Sequence, residues 1–264
     1  MTNSLLRDLA QRLYEHVPSS RAALHVLNNA MHPPTFSGWG MTTQHALPWD
    51  DAHDWGHFRQ ALQHVESEFE HGLRRDTGIT AGTVGILGWR HWIVSCTVRY
   101  ACYKTQGHVS LVECGVGDGL TAYFAANEAE HQRVAYSLDC YDTWEEVRVD
   151  DQERNYAALS LPRTQRNLSR FGDRVRYHQG LVPETLRAAA PELVNYLSID
   201  LNAAEPTIAA LDHFLPRMPA RGAILFDDYG FVGYEATRRA VDDFLAEKPG
   251  VLQKLPTGQA VFYT

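Results

Sequence analysis

The sequence predicts an α/β protein: a doubly wound, mostly parallel sheet of seven strands that ends in an antiparallel hairpin, preceded by a helical N-terminal part. Three observations predict it. From Val109 onward, short apolar runs alternate with helical patterns. The first run ends in a glycine-rich turn, Val112–Thr121, that opens a helix. The last two runs are joined by Pro256-Thr257-Gly258, a turn signal.

The elements follow in order. Leu5, Leu6, Leu9, Leu13 and Val17 form a helical stripe stopped by Pro18, and Ala22 to Ala30 reads as a second short helix. His32 to Asp54 carries Pro, Gly, Trp and Phe without periodicity, as lids and binding loops do. Phe58, Leu62, Val65 and Phe69 mark a further helix, and Trp92 to Tyr103 a buried one. The strands are Val109–Val112, Val134–Leu138, Val175–Tyr177, Tyr196–Ile199, Ala223–Phe226, Val251–Leu255 and Ala260–Tyr263. The helix from Glu235 to Glu247 puts Ala236, Ala240, Val241, Phe244 and Leu245 on one face before Lys248-Pro249-Gly250 stops it. This divides the chain into a helical extension or lid with an acceptor-binding role, residues 1–105, and a cofactor-binding domain, residues 106–264.

The 264 residues are 44% hydrophobic, enough to bury a core. A net charge of −8 argues against a nucleic-acid backbone as partner. The amphipathic, charge-interrupted start is not a signal peptide, and no apolar run reaches membrane-spanning length. Cys96, Cys102, Cys114 and Cys140 form no CxxC pair and read as buried, reduced thiols, which places the protein in the cytoplasm.

The turn carries Glu113, Gly115, Gly117 and Gly119, an acid-x-Gly-x-Gly-x-Gly spacing rather than the Gly-x-Gly-x-x-Gly of dinucleotide oxidoreductases. No lysine follows, which excludes a P-loop, and no Tyr/Lys or His/Asp oxidoreductase pair is evident. The spacing points to S-adenosylmethionine (SAM). Asp139, 26 positions after Glu113 (139 − 113), is expected to accept hydrogen bonds from the ribose hydroxyls.

Two further strands end in acids: Asp200 in one, Asp227 and Asp228 in the other. On neighbouring strands these ends lie about 4.8 Å apart. Carboxylates so crowded repel, and a hard divalent cation such as Mg²⁺ relieves the conflict, with Asn202 as a possible fourth oxygen. The alternative is that the acids simply cap the turns that follow.

Taken together, VECGVGDG, LDCYDTW, GLVPETL, IDLNAAEPT and the FDDYG…AVDDF run resemble the macrocin O-methyltransferase (TylF/MycF-type) family of class I SAM-dependent methyltransferases, from about Val109 to the C-terminus. The resemblance implies a Rossmann-like fold and methylation of sugar hydroxyls on natural products. It implies Asp200, Asp227 and Asp228 as Mg²⁺ ligands and Asp200 as general base. The family's DGDLYEST pattern reads DLNAAEPT here, with Asn202 for an acid and Ala204 for a tyrosine. The expected partner is a small-molecule acceptor, in a chain that could pair as a homodimer. Rival readings are a metal-independent methyltransferase acting on an amine or protein and a non-catalytic partner protein.

Five of six tryptophans (Trp39, Trp49, Trp55, Trp89, Trp92) lie in the N-terminal part, suited to stacking on an acceptor or, for Trp89 and Trp92, to packing on the sheet. His53 and His57 stand i, i+4, and His57, His64 and His71 recur every seven residues. HxxxH can bind zinc, but a solvated histidine-rich helix face is the expectation. His178 is expected to be a strand-end residue rather than an alternative base.

Overall fold

The computed structural model describes residues 53–72, 88–145, 159–231 and 233–264. The two helices expected before residue 31, Trp39, Trp49 and most of the 32–54 and 144–151 segments lie outside the described residues.

Among the described residues two helices come first: α1, Asp54–Glu68, and α2, Gly88–Cys102. The sheet domain then runs β1 His108–Cys114, α3 Leu120–His131, β2 Ala135–Asp142, α4 Leu161–Asn167, β3 Val175–Gln179, α5 Glu184–Ala188, β4 Tyr196–Ile199, α6 Ala204–Phe214, β5 Ala223–Phe226, α7 Glu235–Leu245, β6 Val251–Lys254 and β7 Ala260–Tyr263. The seven strands form one sheet in the order β3-β2-β1-β4-β5-β7-β6. The first five are parallel, and β7 runs antiparallel between β5 and β6. This is the doubly wound sheet and C-terminal hairpin expected from the alternation of apolar runs.

The period of two along each strand sends alternate side chains to two cores. On one face, Leu111, Leu138, Cys140 and Leu225 meet α1, α2 and α3. On the other, Val112, Leu197, Ile199 and Phe226 meet Leu211 and Phe214 of α6 and Val241 and Leu245 of α7. In α1, Phe58, Ala61 and Val65 are buried at helical spacing. Small residues at Ala122, Ala125, Ala126 and Ala129 bring α3 close against the sheet. Trp55, Trp89 and Trp92 pack on one another between α1 and α2, with centroids 6.4 Å (Trp55–Trp89) and 5.8 Å (Trp55–Trp92) apart. Packing therefore accounts for these three indoles.

His53, at the start of α1, is exposed, but His57 and His64 are not left to solvent. His57 stacks on His131 of α3 at 4.0 Å, and His64 stacks on Tyr123 at 5.1 Å. The helix that was expected to show these rings to water instead turns them onto α3. All four cysteines are free, and three are fully buried. Burial pushes the Cys96 thiol up to about 11 and Cys102 up to about 12. No helix among the described residues is long and apolar enough to cross a membrane.

Candidate active site

The crevice lies at the carboxyl ends of the parallel strands, where β1 separates from its two neighbours β2 and β4. Gly115, Gly117 and Gly119 all adopt positive φ, +88°, +56° and +90°. At Gly115 the reason is contact as well as conformation. A β-carbon there would stand 1.9 Å from the main-chain oxygen of Asp200. The Asp200 amide in turn donates to the Cys114 carbonyl at 2.8 Å. The first glycine and the first acid of the cluster are thus neighbours through their backbones.

Asp118, inside the turn, is buried and ties it down. It accepts from the Gly72 amide at 2.9 Å and from Arg163 at 2.8 Å. This role went unread in the sequence, where only the glycines around Asp118 carried a signal.

Glu113 is 1% exposed, and its Oε2 has no hydrogen-bond partner. Burial, and then the charges of Asp200, Asp227 and Asp142, push its carboxyl well above the usual carboxylate range. A buried oxygen without a partner costs about 1–3 kcal/mol. Such a group beside a glycine cradle fits a ligand that carries a donor or a positive charge, as the amino end of SAM does.

Asp139 is not where the sequence reading puts it. Strand β2 continues three residues past it, to Asp142. Asp139 pairs with Val112 in the body of the sheet, so alternation sends it to the face opposite Glu113. There it is 2% exposed, and both oxygens are engaged. Arg176 donates to them at 2.8 and 2.5 Å, and His178 lies 2.8 Å from one. Burial alone would raise the Asp139 carboxyl, but the hydrogen bonds from His178 and Arg176 outweigh it and hold it below its ordinary value. His178 also stacks on Tyr141 at 4.4 Å. Its place is near the end of β3, holding Asp139.

The acid at the end of β2 is Asp142. It accepts from the Gly117 amide at 2.7 Å and from the Trp144 amide at 2.8 Å, one on each oxygen. The Thr143 hydroxyl adds a long contact to Oδ1 at 3.4 Å, so Oδ2 keeps a lone pair for a ligand hydroxyl and a second hydroxyl would take the place of Thr143. Asp142 therefore has the position expected of Asp139. The signal was present in Leu138-Asp139-Cys140-Tyr141-Asp142, had the strand been extended by its alternation.

Asp200, Asp227 and Asp228 do converge, with carboxylate oxygens within 4.8 Å of one another. Parallel pairing of Ile199 with Phe226 produces this, because each acid directly follows its strand. Leu201, Asn202, Tyr229, Tyr234 and Arg238 line a small pocket with them, between the ends of β4 and β5 and α7. Asn202 has positive φ (+60°) and accepts from the Tyr234 hydroxyl at 2.6 Å, so its oxygen is turned to tyrosine.

A residue missed entirely is Arg90, from the first turn of α2. Its guanidinium makes a short ion pair with Asp227, bonds the Asp227 carbonyl at 2.8 Å and the Thr257 carbonyl at 3.1 Å, and lies 3.7 Å from Asp228. Gln259 donates to the other Asp227 oxygen at 2.9 Å. Burial alone would weaken the Arg90 charge, but Asp227, Asp228 and Asp200 outweigh it and raise its pKa further. A separation of 137 residues (227 − 90) left no sequence signal for this pair.

For Mg²⁺ the oxygens of this cluster are of the right kind and close enough, and three carboxyl groups against one guanidinium leave negative charge to be met. Asp227 would have to share its oxygens with Arg90 and Gln259, and Asp228 lies within reach of the same guanidinium at 3.7 Å.

Residues 112–229 match a family described as a methyltransferase domain. A Streptomyces olivaceus protein, 8-demethyl-8-(2,3-dimethoxy-alpha-L-rhamnosyl)-tetracenomycin-C 4'-O-methyltransferase, is 26% identical over 151 residues, 51% of this chain and 57% of that protein. The chain thus aligns with little more than half of that relative's length. Among solved structures, the O-methyltransferase NovP matches with TM-score 0.58 at 18% identity, over 66% of this chain and 78% of NovP. The calicheamicin methyltransferase CalS11 matches with TM-score 0.56 at 16% identity, over 87% of this chain and 99% of CalS11. CalS11 is also described as a TDP-rhamnose 3'-O-methyltransferase.

Proposed function

We propose that this SAM-dependent methyltransferase delivers its methyl group to a hydroxyl of a sugar or sugar-bearing natural product, and that Asp200 takes up the hydroxyl proton. The observation that carries the reading is the contact of the glycine turn with the acid cluster through Gly115 and Asp200. A donor held on the turn and a base at the end of β4 are thereby neighbours. The resemblance to the macrocin O-methyltransferase family and the sugar O-methyltransferase activities of the tetracenomycin and CalS11 proteins support the sugar acceptor.

SAM supplies an electrophilic methyl group. Gly115, Gly117 and Gly119 admit it closely, Glu113 faces its amino end, and Asp142 receives its ribose hydroxyls. Asp200 accepts the proton as the hydroxyl oxygen becomes the nucleophile. Asn202, Tyr229 and Tyr234 form the acceptor wall. Mg²⁺, held by Asp200 and Asp228 with Asp227 behind them, would supply Lewis acidity that lowers the hydroxyl pKa.

A second reading rests on Arg90. A guanidinium already inside the acid cluster gives the crevice a positive charge of its own, which favours metal-independent transfer. One assay separates the readings: formation of S-adenosylhomocysteine from SAM, with TDP-rhamnose or a rhamnosylated aromatic compound as acceptor, with and without EDTA. The expected result is methylation of the sugar, with Asp200→Asn slower by about 10²–10⁴-fold. Full activity of Asp200→Asn sinks the base. Full wild-type activity in EDTA sinks the metal and leaves Arg90 as the cation. Methylation of amines but of no sugar overturns the acceptor class.

A further inference from the structure

A second convergence of ligating side chains lies away from the crevice. It joins the start of α1 to the end of α3. Asp54 Oδ1 stands 2.9 Å from His53 Nδ1 and 3.1 Å from His131 Nε2. All three ligand atoms lie within 4.8 Å of one another. Two imidazole nitrogens and one carboxylate oxygen are a donor set that suits zinc. Zinc–ligand bonds of about 2.0–2.2 Å in a tetrahedron put ligand atoms about 3.3 Å apart. The two short separations need to open by only a few tenths of an ångström to reach that value.

The groups around the three ligands hold them in place. The His131 ring is flanked by His57, stacked at 4.0 Å, and by His53 at 4.6 Å. The other Asp54 oxygen accepts from Arg99 at 2.5 Å, and Arg99 is anchored in turn by the buried Glu128 at 2.9 Å. His57 is fixed by the side chain of Asn127 at 2.8 Å. A carboxylate that presents one oxygen to the ligand position while its second oxygen is hydrogen-bonded behind it is how outer partners orient a metal ligand. His53 is 73% exposed, so one side of the site is open to water, which can complete the coordination. The α3 helix begins at the glycine turn and spans 12 residues, so about 18 Å separates this cluster from the crevice.

We propose that His53, Asp54 and His131 form a transition-metal site that takes Zn²⁺ with water as the remaining ligand. Binding there ties the first turn of α1 to the last turn of α3. The i, i+4 pair seen in the sequence is not itself the ligand set: His57 is the ring against which the true third ligand leans.

The test is calorimetric titration of Zn²⁺ into the full chain with excess Mg²⁺ present, so that the carboxylate crevice is held by the hard ion. One equivalent should bind, and His131→Ala and His53→Ala should each weaken binding by about tenfold or more. Asp200→Asn should bind zinc as the wild type does. His53→Ala removes an exposed ring, so its fold is not at issue, and a thermal melt checks His131→Ala. Co²⁺ in place of Zn²⁺ should give the intense visible bands of a four-coordinate ion in the wild type and lose them in His53→Ala. Absence of a stoichiometric site, or zinc affinity unchanged in both histidine variants, overturns the proposal. Zinc binding abolished only by Asp200→Asn would place the ion in the crevice and overturn it equally.

Discussion

Replacing Arg90 by methionine tests how the acid cluster is balanced. The substitution keeps most of the side-chain volume and removes the only guanidinium paired with Asp227 among the described residues. Arg90 is 15% exposed at its side chain, Asp227 18% and Asp228 25%, so water compensates little. Carboxylate oxygens that all lie within 4.8 Å of one another repel by about 3 kcal/mol or more per ionised pair at an effective dielectric constant of about 20. Breaking a buried ion pair by removing one partner costs about 3–5 kcal/mol, and the partial exposure here points to the lower end. A loss of about 3 kcal/mol lowers the melting temperature by about 6–12 °C in a chain of this size. The assay is thermal unfolding at neutral pH, with and without Mg²⁺, and again as pH is lowered. Protonation of one carboxyl relieves the repulsion, so the deficit should shrink as pH falls through the carboxylate range. Mg²⁺ should restore part of the loss in the variant, and Arg90→Lys should lie between the two. A variant that melts with the wild type, or a deficit that ignores both pH and Mg²⁺, refutes the reasoning.

Further outcomes follow from the turn and from β2. Asp142→Asn should weaken SAM binding by calorimetry, whereas Asp139→Asn should leave SAM affinity nearly unchanged and lower stability by about 1–3 kcal/mol, because His178 and Arg176 lose a charged partner. Equal effects of the two on SAM affinity would return Asp139 to the cofactor site. The Asp139 carboxyl is held below its unfolded value, so the stability it adds is present above about pH 4 and is lost as pH falls through its folded pKa; acid melts of Asp139→Asn should therefore be flatter than those of the wild type in that window. Gly115→Ala should cost about 2–4 kcal/mol and abolish transfer, since the new carbon would meet the Asp200 carbonyl at 1.9 Å with φ at +88°. Gly107→Ala, at φ +92° with open space around it, should cost only about 1 kcal/mol.

The sheet was legible because its strands are apolar runs separated by helix and turn signals. Even the Pro256-Thr257-Gly258 hairpin announced itself. Convergence of Asp200 with Asp227 and Asp228 was legible too, because parallel neighbours in register end together. What misled was the end of β2. The apolar run stops at Leu138, yet the strand continues through Asp139, whose charge is buried only because Arg176 and His178 meet it. A local pattern cannot show a partner supplied by β3. Arg90 escaped for the same reason at longer range, reaching from α2 to the end of β5. Polarity alone makes the histidines of α1 read as a wet face, which holds for His53, whereas the spacing of His57 and His64 beside Phe58, Ala61 and Val65 turns these two onto α3.

The approach of the Asp200 carbonyl to Gly115 has a consequence for how such an enzyme can change. In the proposed mechanism, the spacing between donor and base would be set by two peptide chains in contact, not by rotatable side chains. Lengthening, kinking or shifting the end of β4 to suit a new acceptor would therefore disturb the donor at the same stroke. In that mechanism, freedom to choose acceptors would be left to the opposite wall, to Tyr234 and Arg238 at the start of α7, which form no part of the contact between Gly115 and the Asp200 carbonyl. A search for variants with altered acceptors should begin there and leave the strand end alone.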